Sequence, residues 1–429
     1  MTTLQGRAPA PGGGRLDHFN EWRHESLWLW PAIATVAAWL VGLLAAAHLR
    51  NFGTQGGFFP QNLDDARTLL ATIAAALLTF TGVVFSITLV ALQMASTQYS
   101  PRVLRTFVRK PVTKLALSIF LATFVYSLTL LARVGTANGA HRVPQGAVAL
   151  AFLLVMASVL VFVVFVHSIV RSMRVTYVIT AVFRETLGAV LKAFAPGSIY
   201  RAVDAPAWRP DPVLVPFELP DAALDGVDTA HLVELAQRYD CVVRLLLPVG
   251  TFVPRGTVVF EVHGASSPPS AEILASLDRS AVRTLYQDPC YGVRQLVDIA
   301  IRALSPAVND PTTAVQSLDR IHATLHAVTD RPDPSGVFVD PSGTVRLTIP
   351  ATSWERLVDL AFTEIGIYGA DSPQISRKLM ATFDDLSSLV SAERQVVLAR
   401  HQDWLRHEVG LRHTLSVEQV LTPDRLGLG

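Results

Sequence analysis

Arg294, Asp298 and Arg302 recur every four residues within QDPCYGVRQLVDIAIRALSPAVNDPTTAVQSL, Gln287 to Leu318, and Asn309 and Asp310 follow shortly after. On a helix, this spacing lines guanidinium and carboxylate groups along one side. A helix N-terminus presents free N–H groups, so Arg302, Asn309 and Asp310 beside one have the chemistry to hold a small anion or a polar headgroup. The same residues also have a structural use, which is the simpler one. Asp298 can pair with the two arginines. Asp310 can cap the next helix, with Pro311 at its first position and Thr312 and Thr313 in its first turn. His322 and His326 stand four apart, a spacing found in zinc sites. There is no H-E-x-x-H and no obvious third ligand, so no metal is expected. The two cysteines, Cys241 and Cys290, form no C-x-x-C and read as buried free thiols. Phosphate loops, dinucleotide fingerprints, G-x-S-x-G and His/Cys nucleophile sets are missing from the sequence. No catalytic residue and no cofactor is therefore assigned, and an enzyme is the least favoured class.

A second pattern lies in an apolar stretch. Thr72, Thr79, Gly82, Ser86, Gln93 and Thr97 are separated by seven, three, four, seven and four residues, which places them on one helix face. No charge interrupts the chain between Arg67 and Arg102. As one helix, that interval is about 50 Å long, more than the hydrocarbon core requires. Its later end, Gln93 to Ser100, should project beyond the bilayer and stop at Pro101. The stripe is either a packing seam, where small residues let helices approach, or the polar wall of a pore built from several copies.

These residues need elements to position them. The chain has 429 residues, of which 50% are hydrophobic and 17% charged, against about 25% charged in ordinary soluble domains. The apolar runs lie in the first 170 or so residues. Four have the length of membrane helices: about Leu27 to Leu49, from Leu69 onward, Leu115 to Leu131, and Ala147 to Val170. Trp28 and Trp30 suit the headgroup interface. The spans hold almost no ionisable residues, which argues against a proton-driven carrier or a voltage sensor but not against a channel. Arg7, Arg15 and Arg23 precede the first span. Arg102, Arg105, Arg109, Lys110 and Lys114 follow the second, and Arg171 and Arg174 follow the fourth. By the positive-inside rule these segments are cytoplasmic, so both termini are expected in the cytoplasm. A net charge of +1 implies no nucleic-acid partner. The expected partners are the lipid bilayer and further copies of the chain.

The expected organisation is a disordered tail (1–26), a four-helix transmembrane domain (27–170) and a mixed α/β cytoplasmic region. That region reads as a basic helix and Pro-rich linker (171–212), a small β-rich module (213–268), a mainly helical domain (269–412) and a C-terminal tail (413–429). In the module, Val242 to Leu247 and Val258 to Val262 are β-rich, with turn residues Gly250, Pro254 and Gly256 between them. RPDPSGVFVDPSGT and Val345 to Ile349 read as a hairpin inserted among the helices. WERLVDLAFTEIGIYGADSPQISRKLMATFDDLSSLV reads as two amphipathic helices, divided at Gly369 and Pro373.

Three blocks carry a family resemblance: TFTGVVFSITLVALQMASTQYSPRVLR, QDPCYGVRQLVDIAIRALSPAVNDPTTA and DLAFTEIGIYGADSPQISRKLM. Together they resemble a large family of bacterial predicted membrane proteins defined by a domain of unknown function. The likeness runs from about Leu27 to about Val409. It implies a cytoplasmic-membrane protein and implies no reaction. The favoured reading is a homo-oligomeric channel or pore-like protein with a cytoplasmic vestibule or gate. The alternative is a membrane-anchored scaffold or sensor.

Overall fold

The computed structural model describes residues 29–48, 62–98, 111–133, 145–172, 174–195, 211–285, 287–414 and 416–421. The N-terminal tail, most of the Pro-rich linker and the Arg102–Arg105–Arg109 cluster lie outside the described residues. The chain divides into two compact units, with the boundary between Tyr177 and Val178.

The N-terminal unit is helical: α1 (Leu29–His48), α2 (Leu63–Gln98), α3 (Pro111–Arg133) and α4 (Gln145–Ser172). Asp64 and Asp65 open α2, where acidic groups suit the positive end of the helix dipole. Pro111 opens α3, where its missing N–H costs nothing. Among the described residues, three helices are long and apolar enough to cross a membrane, over Leu63–Met94, Pro111–Arg133 and Gln145–Ser172. The apolar part of α1, Leu29–Ala45, falls short of that length, so the span count that length and composition establish is three, plus one short apolar helix.

The helix at the centre of this unit is α3, packed against α1, α2 and α4. Phe80, Phe120 and Phe162 meet with ring centroids 5.0 to 6.4 Å apart. Two buried polar groups on α3 are partnered across helices. The Tyr126 hydroxyl donates to the Ala147 carbonyl at 2.9 Å. The Thr123 and Ser158 hydroxyls meet at 3.3 Å. At Gly42 of α1 a Cβ would stand 3.1 Å from Thr129 of α3, so the small residue is what allows α1 to close on α3. Close helix approach over small residues, with internally satisfied polar groups, is what a bilayer demands. The face of α2 buried here is Ala66, Leu70, Ile73, Leu77, Val84 and Ala91.

The C-terminal unit holds α5 (Val175–Ala193, from Val178), β1 (Val213–Pro216), β2 (Ala222–Val227), α6 (Thr229–Arg238), β3 (Cys241–Leu245), β4 (Phe252–Val253), β5 (Val258–Gly264), α7 (Ser270–Ala275) and β6 (Leu277–Ser280). It continues with α8 (Pro289–Ala303), α9 (Pro311–His326), β7 (Val337–Val339), β8 (Val345–Thr348), α10 (Trp354–Gly369), α11 (Pro373–Leu389), α12 (Ala392–Arg412) and α13 (Val417–Leu421). One sheet has the order β1-β5-β3-β8-β7 and a second β4-β2-β6. All pairings are antiparallel except β3 with β8, which run parallel with Val243 opposite Leu347.

The hairpin β7–β8 lies between α9 and α10 in the chain, and β8 pairs with β3. It completes the sheet of the β-rich module, across the division that the sequence reading places at residue 268. Its turn is tied by Asp340. That carboxylate accepts from Ser342 N at 2.9 Å, Thr344 N at 3.0 Å and Arg346 Nε at 2.8 Å. Arg346 also reaches Asp240, just before β3, at 2.9 Å. That bridge joins segments about a hundred residues apart, which no local pattern reveals.

Candidate functional site

On α2, the structure places Thr72, Thr79, Gly82, Ser86 and Gln93 together on one exposed face. The side chain of Thr97 lies outside the described residues. The Thr72 hydroxyl donates to the Thr68 carbonyl at 2.8 Å and that of Thr79 to the Ala75 carbonyl at 3.1 Å. A Cβ added to Gly82 would meet nothing within 4 Å. This chain packs the opposite face of α2. Its own small-residue seam lies elsewhere, at Gly42 against Thr129 and at Thr123 against Ser158. The contrast with α3 and α4 is direct: Thr123, Ser127, Ser158 and Ser172 are buried, while the polar residues of the α2 stripe face outward.

In the C-terminal unit, Asp288 caps α8 through Tyr291 N at 3.2 Å, and Pro289 occupies the first turn. Arg294 donates to Asp298 at 2.8 Å and grips both carboxylate oxygens of Glu364 on α10, one at 2.8 Å. The hydrogen bonds to Glu364, foremost, raise the Arg294 pKa further. Asp298 is buried and Arg294 half-buried. The side of α8 that carries Arg294 and Asp298 is thus enclosed, because α8 packs against both α9 and α10. Arg302, on the next turn, is half-buried as well. Asn309 is exposed with φ +47°. Asp310 caps α9, accepting from Thr313 N at 3.1 Å and Thr313 Oγ1 at 2.6 Å. Arg294 and Asp298 therefore act in an inter-helix ion network, and the Asp310 carboxylate is engaged in starting a helix. Glu364, the network's third member, was not legible in the motif, since it lies 70 residues from Arg294.

A cleft of ≈ 500 Å³ opens where α8 and α10 begin, lined by Arg283, Cys290, Ser353, Glu355, Arg356 and Asp359. Its charges are largely matched. Arg283 pairs with Asp288. Arg400 reaches Glu355 at 3.1 Å and Asp359 at 2.6 Å, and His401 reaches Asp359 at 2.8 Å. Burial pushes the Asp359 carboxyl up, but His401 and Arg400 outweigh it and its pKa falls. Burial pushes the Cys290 thiol up, and its sulfur lies 3.6 Å from the Thr352 hydroxyl. A protonated thiol beside a hydroxyl is a poor nucleophile. His322 is held by Asp385 at 2.7 Å. Among the described residues, no three His, Cys, Asp or Glu side chains gather as a metal site.

A family model described as "Predicted membrane protein (DUF2254)" matches residues 24–385. Uncharacterised proteins of Mycobacterium tuberculosis and Mycobacterium bovis are each 30% identical over 396 residues, covering 87% of this chain and 75% of theirs. No solved structure matches.

Proposed function

The chain belongs to the DUF2254 family of predicted membrane proteins, and from that premise we propose that it works as a homo-oligomeric, pore-like protein whose copies meet across α2. One observation carries this reading: the exposed Thr72–Thr79–Gly82–Ser86–Gln93 face on a helix whose opposite side is already packed. Hydrocarbon offers no partner to Ser86 or Gln93, whereas a second copy or a water-filled path does. In this reading α1 completes a fourth span with neighbouring residues. The protein lies in the inner membrane with both termini in the cytoplasm, and the C-terminal unit forms a vestibule or gate.

A specific feature favours the second reading, a membrane-anchored scaffold or sensor. The Thr72 and Thr79 hydroxyls are taken by their own helix, so these residues suit packing as well as hydration. One experiment separates the two. Ser86→Cys protein in native membranes is oxidised to trap α2–α2 dimers, and purified protein is reconstituted in planar bilayers. Cross-linking with conductance supports the pore, and Ser86→Leu then abolishes the current. Cross-linking without conductance leaves the scaffold. Absence of cross-linking, with a monomeric mass in detergent, overturns both the shared face and the pore.

A further inference from the structure

The cleft where α8 and α10 begin lies wholly within the C-terminal unit, and its charge matching leaves out two guanidinium groups in part or in full. Arg283 is fixed on three sides. Its Nε donates to the buried Asp288 carboxylate, its guanidinium lies over the Tyr291 ring at 5.4 Å, and Gly250 closes against it. That glycine has φ +89°, and a Cβ there would fall on the Asp288 carboxylate and 2.6 Å from Arg283 Nε. The two terminal amino groups of Arg283 have no partner among the described residues. Arg356, in the first turn of α10, is exposed, and among the described residues its side chain makes no hydrogen bond or ion pair. The carboxylates beside it on α10, Glu355 and Asp359, are held instead by Arg400 and His401 of α12. Burial raises the Cys290 thiol pKa, and Arg356 and Arg283 are among the groups that oppose the rise, so both guanidiniums stand near its sulfur.

We propose that this cleft binds a small organic molecule through a single carboxylate, gripped by Arg283 and Arg356, with the body of the molecule over Cys290 and Leu360. The edge of a guanidinium meets a carboxylate with two parallel N–H bonds. Arg283 suits that task because Asp288, Tyr291 and Gly250 already fix it, so little side-chain freedom is lost on binding. At ≈ 500 Å³ the cleft has the size of a small-molecule site. Leu360 and the protonated Cys290 thiol give its lining an apolar part. Charge sets the class of ligand. Asp288 answers Arg283, and Arg400 and His401 answer Glu355 and Asp359, so Arg356 is left without a carboxylate. One negative charge completes it. A second would meet Glu355 and Asp359, which disfavours a dianion such as phosphate. The assignment involves the C-terminal unit only and does not depend on whether the α2 face conducts.

The test uses the purified full chain in detergent and a small methanethiosulfonate reagent, with peptide mass spectrometry reading Cys290 and Cys241 separately. Acetate or benzoate at millimolar concentration should slow modification of Cys290 by about threefold or more, as mass action requires of an occupied site. Cys241, buried in β3, should be unaffected. Benzamide, which has the shape of benzoate without its charge, and inorganic phosphate should protect far less. Arg356→Gln, an exposed change that leaves folding intact, should abolish the protection. Arg238→Gln, which removes an exposed cation from α6, should keep it. Isothermal titration with benzoate reads the same contrasts without relying on thiol reactivity, so a slow Cys290 does not remove the test. Protection or binding heat that persists in Arg356→Gln, that benzamide reproduces or that phosphate exceeds overturns the proposal. Absence of both with acetate and with benzoate overturns it too. The α2 cross-link at Ser86 bears on none of these results and is judged separately.

Discussion

At the scale of single residues, the most demanding group is Arg294, which serves two carboxylates at once. Removing it leaves the buried Asp298 without that partner. Breaking a buried pair costs about 3–5 kcal/mol, but Glu364 is more than one third exposed and contributes little to that figure. Arg294→Met is expected to destabilise the C-terminal unit by about 3 kcal/mol, measured by urea unfolding followed through tryptophan fluorescence. Arg294→Lys should recover only part, because one ammonium does not reproduce the Nε bond to Asp298 together with the paired bonds to Glu364. Asp340 gives a pH dependence. Hydrogen bonds from Ser342, then Arg346, hold its carboxyl well below the usual carboxylate range. A carboxyl whose folded pKa is depressed stabilises the fold above its unfolded pKa of about 4 and loses that contribution as pH falls toward the folded value. Asp340→Asn should therefore lower the melting temperature at pH 7. The gap to the unmodified protein should close as the pH is taken below about 4, read by thermal melts across a pH series.

At the scale of elements, two glycines in the N-terminal unit make opposite predictions. Gly42 sits where a Cβ would press on Thr129, and Gly82 sits in open space. Gly42→Ile should force α1 off α3 and cost the helical bundle about 1–3 kcal/mol, as overpacking does. Gly82→Ile should leave the monomer within about 0.5 kcal/mol, as ordinary surface changes do, and block self-association through α2. Detergent-unfolding curves and oxidative cross-linking read the two effects separately. Equal behaviour of the two variants would contradict the open α2 face. In the C-terminal unit, the enclosure of α8 explains why its sequence block is so specific: almost every side chain there meets another element, and Gly292 is small because α5 passes against it.

At the scale of the whole molecule, arrangement in the membrane is the property to test. The basic residues following α2 and α4 predict that cysteines placed within 49–61 and 134–144 label from one side of the membrane. Cysteines within 99–110 and the C-terminal unit should label only from the other side. Impermeant maleimides on intact and opened cells provide that measurement, and labelling of all four regions from one side would contradict the orientation. The sequence by itself determined what is local. Apolar runs mark the helices of the N-terminal unit, the β-rich stretches become β3 and β5, and Asp310–Pro311 begins α9 as its chemistry requires. Each of those rests on neighbours within a few residues. Tertiary structure alone decided what depends on distant partners: Glu364 against Arg294, β8 beside β3, and α5 seated on Gly292. It also decided which side of α2 is packed. Helical spacing put Thr72, Thr79, Gly82, Ser86 and Gln93 on one face. Only the packing of α3 against the other side of α2 left that face open, because a helix pattern records which residues share a side and not what covers it.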